Sequence, residues 1–301
     1  MNKPYYTYRA YLKKRFGKRA LRVPVHAGFS CPNRDGTLST SGCTFCDNRS
    51  FSPAALDSSS VVSQLEARMK RAAGSFEIFI AYLQPFTNTY GTVEELKSIY
   101  EPILQLPGIV GLAVGTRPDC LADDVCDYLA NVSRRTYLTV EVGLQSASDD
   151  VLRLNNRGHT VADFESAVTR LGQRNIETVA HSMIGLPNET REDVINTAKL
   201  VARIPVHGVK IHQLMIIKGT CMEEWYGKGT VKALTLADYA ELAGEFITYL
   251  RPEQCIHRIM ADSKPAYGLI APAWSADKLK STEYIRRYLC ENHLWQGKNY
   301  T

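Results

Sequence analysis

The chain has 301 residues, of which 45% are hydrophobic and 22% are charged, a composition typical of a soluble globular protein and unlike that of a disordered tail. Its longest apolar run, residues 108–115, is far shorter than the about 20 residues that span a bilayer, and its N-terminus lacks the apolar core of a signal peptide. A net charge of +5 permits a polyanionic partner without requiring one. We therefore expect a cytoplasmic protein with no membrane partner.

Six apolar, β-branched segments bounded by turn residues are predicted as strands. They are residues 24–30, 76–83, 109–115, 137–144, 177–184 and 208–215. Helical patterns lie between them, and several begin with a capping residue such as Thr92, Asp123 or Thr160. Repeated βα units with strands apolar on both faces are typical of a parallel sheet covered by helices. The predicted fold is α/β, a partial (β/α)6 TIM-like barrel of parallel strands, because six units are too few for a closed eight-stranded barrel.

Three regions are expected along the chain. Residues 1–22 form a basic helical segment, residues 23–220 the partial barrel, and residues 221–301 a C-terminal α/β extension packed on the barrel. The first region carries six basic residues within ten positions: Lys13, Lys14, Arg15, Lys18, Arg19 and Arg22. Such a run attracts a phosphate backbone, but it is equally typical of a solvated helix face, and the sequence leaves both interpretations open.

The loop after the first predicted strand, CPNRDGTLSTSGCTFC, brings Cys31, Cys43 and Cys46 together. In parallel βα folds the carboxyl ends of the strands carry the active site. Three thiolates in one loop, with Gly36 and Gly42 allowing the chain to wrap, indicate a metal site. Structural zinc nearly always takes a fourth protein ligand, and none is evident nearby in the sequence. This favours a 4Fe-4S cluster with one open iron, with zinc as the alternative.

The other cysteines form no second CxxC pair and are expected to be mostly buried small hydrophobes. They are Cys120, Cys126, Cys221, Cys255 and Cys290, and the sequence assigns none of them a role.

The cysteine loop, with Phe45 between its last two cysteines, resembles the cluster-binding signature of the radical S-adenosylmethionine superfamily in its expanded-spacing form. Further segments are similar to the YtqA/YhcC group, which is related to the catalytic subunit of Elongator and to MnmL-type tRNA wobble-uridine enzymes. They are LQPFTNTY, GTRPD, EVGLQS, NNRGHT and IGLPNET. The resemblance implies a partial barrel that holds a 4Fe-4S cluster and cleaves S-adenosylmethionine to methionine and a 5′-deoxyadenosyl radical.

The resemblance also implies roles for single residues. The three loop cysteines would hold three irons of the cluster, and the fourth iron would bind the amino and carboxylate groups of S-adenosylmethionine. The cofactor-binding residues implied are Phe45, Gln84, Glu141, Gln145, Arg157 and Gly185. Gln84 stands where many members have a Gly-Gly-Glu motif, so this chain departs from the family pattern there.

Two of these residues have a plain structural alternative. The alternation of residues 137–144 predicts that Glu141 points into the barrel, where its carboxylate needs either a cationic ligand or an internal salt bridge with Arg117 or Arg157. Gly185 either allows the adenine to approach the backbone or forms an ordinary turn.

The substrate that the resemblance implies is the wobble uridine of tRNA, whose carboxymethylaminomethyl group would become aminomethyl. Candidate substrate contacts are Arg117, Lys210, His212, Trp274 and Lys278. His212 is also explained as a satisfied core histidine, and Trp274 as a residue that closes the barrel. A one-electron reductant such as flavodoxin or ferredoxin is the second expected partner. The rival functions are radical chemistry on a metabolite or peptide, and a non-enzymatic zinc or iron-sulfur RNA-binding protein.

Overall fold

A curled sheet of parallel strands forms the centre of the computed structural model, which describes residues 4–301. The strands described are β1 (Ala20–Val25), β2 (Ile78–Leu83), β3 (Ile109–Thr116), β4 (Tyr137–Gln145), β5 (Glu177–Ile184), β6 (Gly208–Gln213), β7 (Ile216–Ile217), β8 (Cys255–Arg258) and β9 (Leu269–Ala271). The main sheet has the order β1-β2-β3-β4-β5-β6-β8 with every pair parallel, and β7 pairs with β9 in an antiparallel ribbon. Within residues 4–301, β1 and β8 are the edges of the sheet, so the barrel has a lateral gap between them.

Helices connect the strands and cover the outside of the sheet. Within the described residues they are α1 (Tyr8–Phe16), α2 (Asn48–Phe51), α3 (Val61–Ala72), α4 (Val93–Leu104), α5 (Asp123–Arg135), α6 (Asp149–Leu154), α7 (Val161–Gln173), α8 (Arg191–Arg203), α9 (Cys221–Gly227), α10 (Leu236–Thr248) and α11 (Lys278–Glu291). Short 3-10 turns follow at Pro53–Leu56, Pro118–Cys120, Pro265–Tyr267 and Ala273–Ala276. Among the helices of residues 4–301, none has the length and apolar character that a bilayer crossing requires.

The predicted partial barrel is confirmed, with two differences. The first strand was expected at 24–30 but runs from Ala20 to Val25, since Pro24 lies inside an edge strand, where a missing N–H is tolerated, and not at the strand's beginning. The second difference is a seventh strand, β8, which comes from the C-terminal region and pairs with β6. The C-terminal region therefore completes the sheet in addition to packing on it.

Side-chain caps begin several of the connecting helices. The Thr92 and Thr160 hydroxyls accept from the backbone N–H groups of Glu95 and Asp163, whose carboxylates bond back to the cap residues, so both predicted caps are confirmed. Such caps stabilise a helix by about 0.5–2 kcal/mol. The prediction for Asp123 is wrong, because Ala122 occupies the cap position and Asp123 is the first residue of α5. A carboxylate in the first helical turn is still favoured by the helix dipole.

The strands divide the interior into an apolar layer and a polar lumen. All nine residues of β4 are buried. Leu138 and Val140 belong to the core beneath the helices, whereas Thr139 and Glu141 alternate with them on the other face. The inner face of the barrel is therefore lined by polar side chains that need partners.

The N-terminal segment lies along the lateral gap. The Tyr6 carbonyl accepts a hydrogen bond from the Ile256 N–H at 2.8 Å, which joins this segment to β8. Parts of the basic run form ion pairs, with Arg15 at 2.8 Å from Glu177 and Lys18 at 2.5 Å from Glu77. The run is thus neither a purely solvated face nor a set of free cations.

Candidate active site in the barrel lumen

Cys31, Cys43 and Cys46 line one cavity at the carboxyl end of the barrel, in the loop between β1 and α2. The loop turns tightly, since the Cys46 N–H donates to the Cys43 carbonyl at 3.0 Å. The segment after α6 makes hydrogen bonds to this loop. The Asn156 amide donates to the Gly42 carbonyl at 2.7 Å, and Gly42 has the positive φ of 72° that the turn requires.

Cationic side chains surround the thiols. Nη1 of Arg157 lies 3.1 Å from Sγ of Cys43, and Nδ2 of Asn33 lies 3.4 Å from the same sulfur. Burial raises the pKa of the Cys43 thiol, but Arg157 and Arg117 outweigh burial, so the net direction is downward. Burial and the neighbouring Cys43 raise the pKa of Cys46 to about 11. Cys43 is therefore better prepared than Cys46 to bind as a thiolate.

Three buried polar atoms beside the loop have no hydrogen-bond partner within residues 4–301. They are Nε of Arg157, Nη1 of Arg117 and Oδ1 of Asn33. A buried donor without a partner costs roughly 1–3 kcal/mol, so the two guanidinium groups are suited to receive an anionic group. Three thiols and two free guanidinium donors fit an anionic iron-sulfur cluster and the carboxylate of S-adenosylmethionine.

Within residues 4–301, no three Cys, His, Asp or Glu side chains converge as the ligands of one metal ion do.

Glu141 is the centre of a charged network deeper in the lumen. Its side chain is fully buried, and its Oε1 lies 2.6 Å from Nη2 of Arg22. Its Oε2 contacts Nζ of Lys210 and lies 3.1 Å from Nε2 of His181. Burial raises the pKa of Glu141, but Arg22 and Lys210 outweigh burial, so the pKa lies well below the ordinary range. The predicted internal salt bridge is present, with Arg22 and Lys210 instead of Arg117 or Arg157.

Histidines complete the lining. His212 faces the lumen, and its Nε2 is buried without a hydrogen-bond partner in the described chain, so the interpretation as a satisfied core histidine is wrong. His181 lies near it, with ring centroids 5.6 Å apart. Burial lowers the pKa of His181 to about 4 and that of His212 well below its usual value. Both rings are neutral at pH 7.

The other expected cofactor residues surround the thiols, with one exception. Phe45, Gln84 and Gln145 all line the same cavity as the cysteines. A Cβ on Gly143 would lie 2.9 Å from Nη2 of Arg157, so the absence of a side chain there allows the guanidinium to approach β4. Gly185 has a φ of 89° but does not line this cavity.

The turn at Gly185 is closed by Glu189. A Cβ on Gly185 would meet Leu234 at 2.8 Å, which explains the glycine by packing. Oε2 of Glu189 accepts from the N–H groups of Gly185 at 2.8 Å and Leu186 at 3.3 Å. Burial raises the pKa of Glu189 to about 8, against the lowering effect of these hydrogen bonds.

Glu189→Gln is expected to remove a pH dependence of stability. A carboxyl whose folded pKa lies near 8 binds its proton more tightly than the unfolded chain does, whose pKa is about 4.3. The free energy of unfolding of the wild type therefore falls as the pH rises from 5 to 8. Urea denaturation at several pH values checks this, and an equal fall in the variant would contradict the role of Glu189.

Trp274 and Lys278 lie outside the lumen. Nε1 of Trp274 donates to the Leu234 carbonyl at 3.0 Å, and its ring packs 5.3 Å from that of Tyr239, so Trp274 closes the barrel side. Nζ of Lys278 lies 2.7 Å from Asp262 and lines the lateral gap.

Of the remaining cysteines, Cys126 and Cys255 are buried as expected. Cys120 is partly buried. Cys221 and Cys290 are exposed, so the expectation is wrong for them.

Sequence reasoning missed several residues that line the lumen. Arg22 was grouped with the basic run, Tyr82 and His181 were not singled out, and Arg258 was noted only within a family-like motif of the C-terminal extension, although all four face the lumen or its rim. The signal for Arg22 was present, because Val23 and Val25 alternate with it on β1 and are buried on the opposite face. The predicted strand began at residue 24, four residues after the observed start at Ala20, and therefore did not include Arg22.

Residues 33–201 match the radical SAM superfamily and residues 206–291 match the Radical_SAM C-terminal domain. The chain therefore belongs to the radical SAM superfamily, and its cofactors are a 4Fe-4S cluster and S-adenosylmethionine. It is 38% identical over 299 residues to YtqA of Bacillus subtilis (98% of this chain, 92% of YtqA), and 37% identical over 287 residues to YhcC of Escherichia coli K12 (95% and 92%).

A more distant relative is named for an activity on tRNA. The tRNA uridine(34) acetyltransferase of Dehalococcoides mccartyi is 27% identical over 175 residues, which is 57% of this chain and 37% of that protein. Among solved structures, the archaeal Elp3 of Methanocaldococcus infernus with an N-terminal deletion has a TM-score of 0.67 at 16% identity, covering 92% of this chain and 64% of that chain. This likeness supports the barrel fold.

Proposed function

We propose that this chain uses a 5′-deoxyadenosyl radical to modify the wobble uridine of tRNA, converting its carboxymethylaminomethyl group to aminomethyl. The radical would take a hydrogen atom from the methylene carbon of the carboxymethyl group, and the resulting carbon radical would return one electron to the cluster and become an imine. Water would then hydrolyse the imine to the amine and glyoxylate, so that S-adenosylmethionine is the net oxidant.

The observation that carries the proposal is a cavity along the lateral gap, here called the lateral groove. Its basic lining residues are Arg9, Lys13, Lys18, Arg19, Arg22, Lys210, Arg258, Lys278 and Arg286. Within residues 4–301 it has no Asp or Glu in its lining. A groove of this charge attracts a phosphate backbone.

The lateral groove and the lumen share a wall. Tyr82, Gln84, Lys210 and Arg258 line both cavities. Sequence-specific RNA recognition mostly targets unstacked bases, which can leave the strand and enter a protein pocket. We infer that a base passes this shared wall to reach the lumen while its phosphates stay in the lateral groove.

Free charges lie at the outer part of the lateral groove. Arg9, Lys13 and Arg19 are exposed and have no ion-pair partner in the part of the chain that the structure describes. Two aromatic rings among these cations are already engaged within the protein, since Tyr8 stacks on His257 with ring centroids 4.0 Å apart and the Arg19 guanidinium lies 4.9 Å from the ring centroid of Phe76. The relative that acts on uridine 34, the wobble position, supports the choice of nucleotide.

The cofactors would be held by residues of the cysteine loop and the strand ends. Cys31, Cys43 and Cys46 would bind the cluster, with Arg157 beside the methionine carboxylate and Gln145 beside the adenosyl group. When bound, the cofactors supply one-electron cleavage of the sulfonium bond, for which a reductant such as flavodoxin or ferredoxin is needed. Gln84, Glu141 and Phe45 would line the same site.

Reversing three free charges of the lateral groove is expected to weaken RNA binding. The triple variant Arg9→Glu, Lys13→Glu, Arg19→Glu removes three phosphate contacts, so its affinity for an anticodon stem-loop falls at least roughly tenfold, and the slope of log K against log salt becomes shallower by about 2. Fluorescence anisotropy over a salt series measures both quantities.

A matched control separates the lateral groove from net charge. The exposed residues Lys97, Lys199 and Lys232 lie outside the groove, and changing all three to Glu alters the net charge equally. We expect this control to bind nearly as the wild type does. Equal losses in both triples, or no loss in either, would reject the lateral groove as the RNA site and favour a small substrate.

A further inference from the structure

The lumen contains more positive charge than its one carboxylate balances. Arg22 and Lys210 both contact Glu141. Arg258, the last residue of β8, pairs in register with Lys210 on β6 but has no ion-pair partner within residues 4–301. Two guanidinium groups and the amine of Lys210 therefore accompany one carboxylate in this part of the lumen.

Neighbouring titratable groups do not remove this surplus. His181 and His212 are neutral, as described above, and burial also lowers the pKa of His257. Tyr82, whose hydroxyl accepts from Nζ of Lys210 at 2.9 Å, has its pKa raised by burial and by Glu141 and stays neutral. Burial and the nearby Arg22 hold the pKa of Lys210 well below its usual value, so the surplus rests on the guanidinium groups of Arg22 and Arg258.

Unpartnered polar atoms lie on both sides of the shared wall. Within the described residues, Nε of Arg22, which lines the lateral groove, and Nε2 of His212, which lines the lumen, are buried without hydrogen-bond partners. Both Lys210 and Arg258 line the lumen as well as the lateral groove, so a group entering through the gap passes them first.

We propose that Arg258, together with Lys210, binds a carboxylate carried by the substrate at the junction of the lateral groove and the lumen. This inference rests on the proposed function and names the part of the nucleotide that the site selects, the acid end of the uridine 5-substituent. A guanidinium presents parallel donors that match a carboxylate, and the added negative charge balances the surplus.

The methionine carboxylate of S-adenosylmethionine is the other carboxylate available to this site. Its expected partners are Arg157 and Arg117, which stand beside Cys43 and have unpartnered buried donors of their own. Arg258 stands on β8, at the edge of the sheet that borders the gap. Because Arg258 lies beside the gap, we assign it to the carboxylate of the incoming substrate and not to that of S-adenosylmethionine.

The test uses two anticodon stem-loops that differ only in the wobble uridine, one with carboxymethylaminomethyl-uridine and one with its methyl ester. The wild type is expected to bind the acid roughly tenfold more tightly than the ester, since a hydrogen-bonded charge pair is lost with the ester. Arg258→Gln is expected to bind both equally, at the affinity of the wild type for the ester. Arg258→Lys, which keeps the charge, retains part of the preference.

Each other outcome has a distinct meaning. Equal affinities of the wild type for acid and ester, or a preference that persists in Arg258→Gln, would overturn the carboxylate site while leaving RNA binding intact. A higher Kd of S-adenosylmethionine in Arg258→Gln, with the RNA preference unchanged, would assign Arg258 to the cofactor. Failure of the wild type to bind either RNA would overturn the proposed function and the carboxylate site together. A thermal melt of Arg258→Gln shows whether the variant is folded.

Discussion

The Cys43→Ser variant is expected to bind no intact cluster and to form 5′-deoxyadenosine only at the level of a mixture without protein. Cys43 is the buried thiol whose pKa Arg157 and Arg117 lower, and serine cannot supply a thiolate to iron. Anaerobic reconstitution with iron and sulfide, reduction with dithionite and chromatography of the products measure the effect. Iron content and visible absorption report the cluster independently of turnover.

Cys290→Ser is the matched control for this prediction. Cys290 is exposed near the end of α11 and does not line the lumen, so the same substitution there is expected to leave cluster content and product formation as in the wild type. If Cys43→Ser retained a full cluster and wild-type product, the assignment of the cysteine loop would be wrong. Stoichiometric zinc in the protein, with no product from the wild type, would support the RNA-binding alternative.

Glu141→Gln is expected to lower the free energy of unfolding of the metal-free chain by about 3–5 kcal/mol, the cost of removing one partner from a buried charge network. The variant leaves Arg22 and Lys210 buried beside a neutral amide, which accepts hydrogen bonds but does not balance their charge. Urea denaturation at pH 7 measures the difference. Glu77→Gln, which removes an exposed partner of Lys18, should cost no more than about 1 kcal/mol.

The stabilising effect of Glu141 also has a defined pH dependence. Its folded pKa lies well below that of the unfolded chain, so its contribution is complete above the unfolded pKa of about 4.3 and is lost as the pH falls through the folded pKa. The difference between wild type and Glu141→Gln should therefore be constant at neutral pH and shrink in acid. A difference that stays near zero at pH 7 would show that the network contributes no net stability.

Local patterns in the sequence were sufficient to predict the order of most strands and helices along the chain. Strands β2 to β6 and the capped helices between them follow from apolar periodicity and from residues such as Thr92 and Thr160, because these signals act over a few neighbouring residues. The extent of β1 and the existence of β8 did not follow. Both are edge strands, where a proline or a short segment is tolerated because one side makes no ladder hydrogen bonds.

For the site, the sequence by itself determined the cysteine loop and the inward direction of Glu141, since ligand spacing and strand alternation are properties of short segments. Only the tertiary structure decided which cations meet Glu141, because Arg22 is 119 residues away in the chain and Lys210 is 69 residues away. It also decided that Arg258 borders the lateral groove. Such partners are fixed by the closure of the sheet, which places distant strands side by side and which no local pattern specifies.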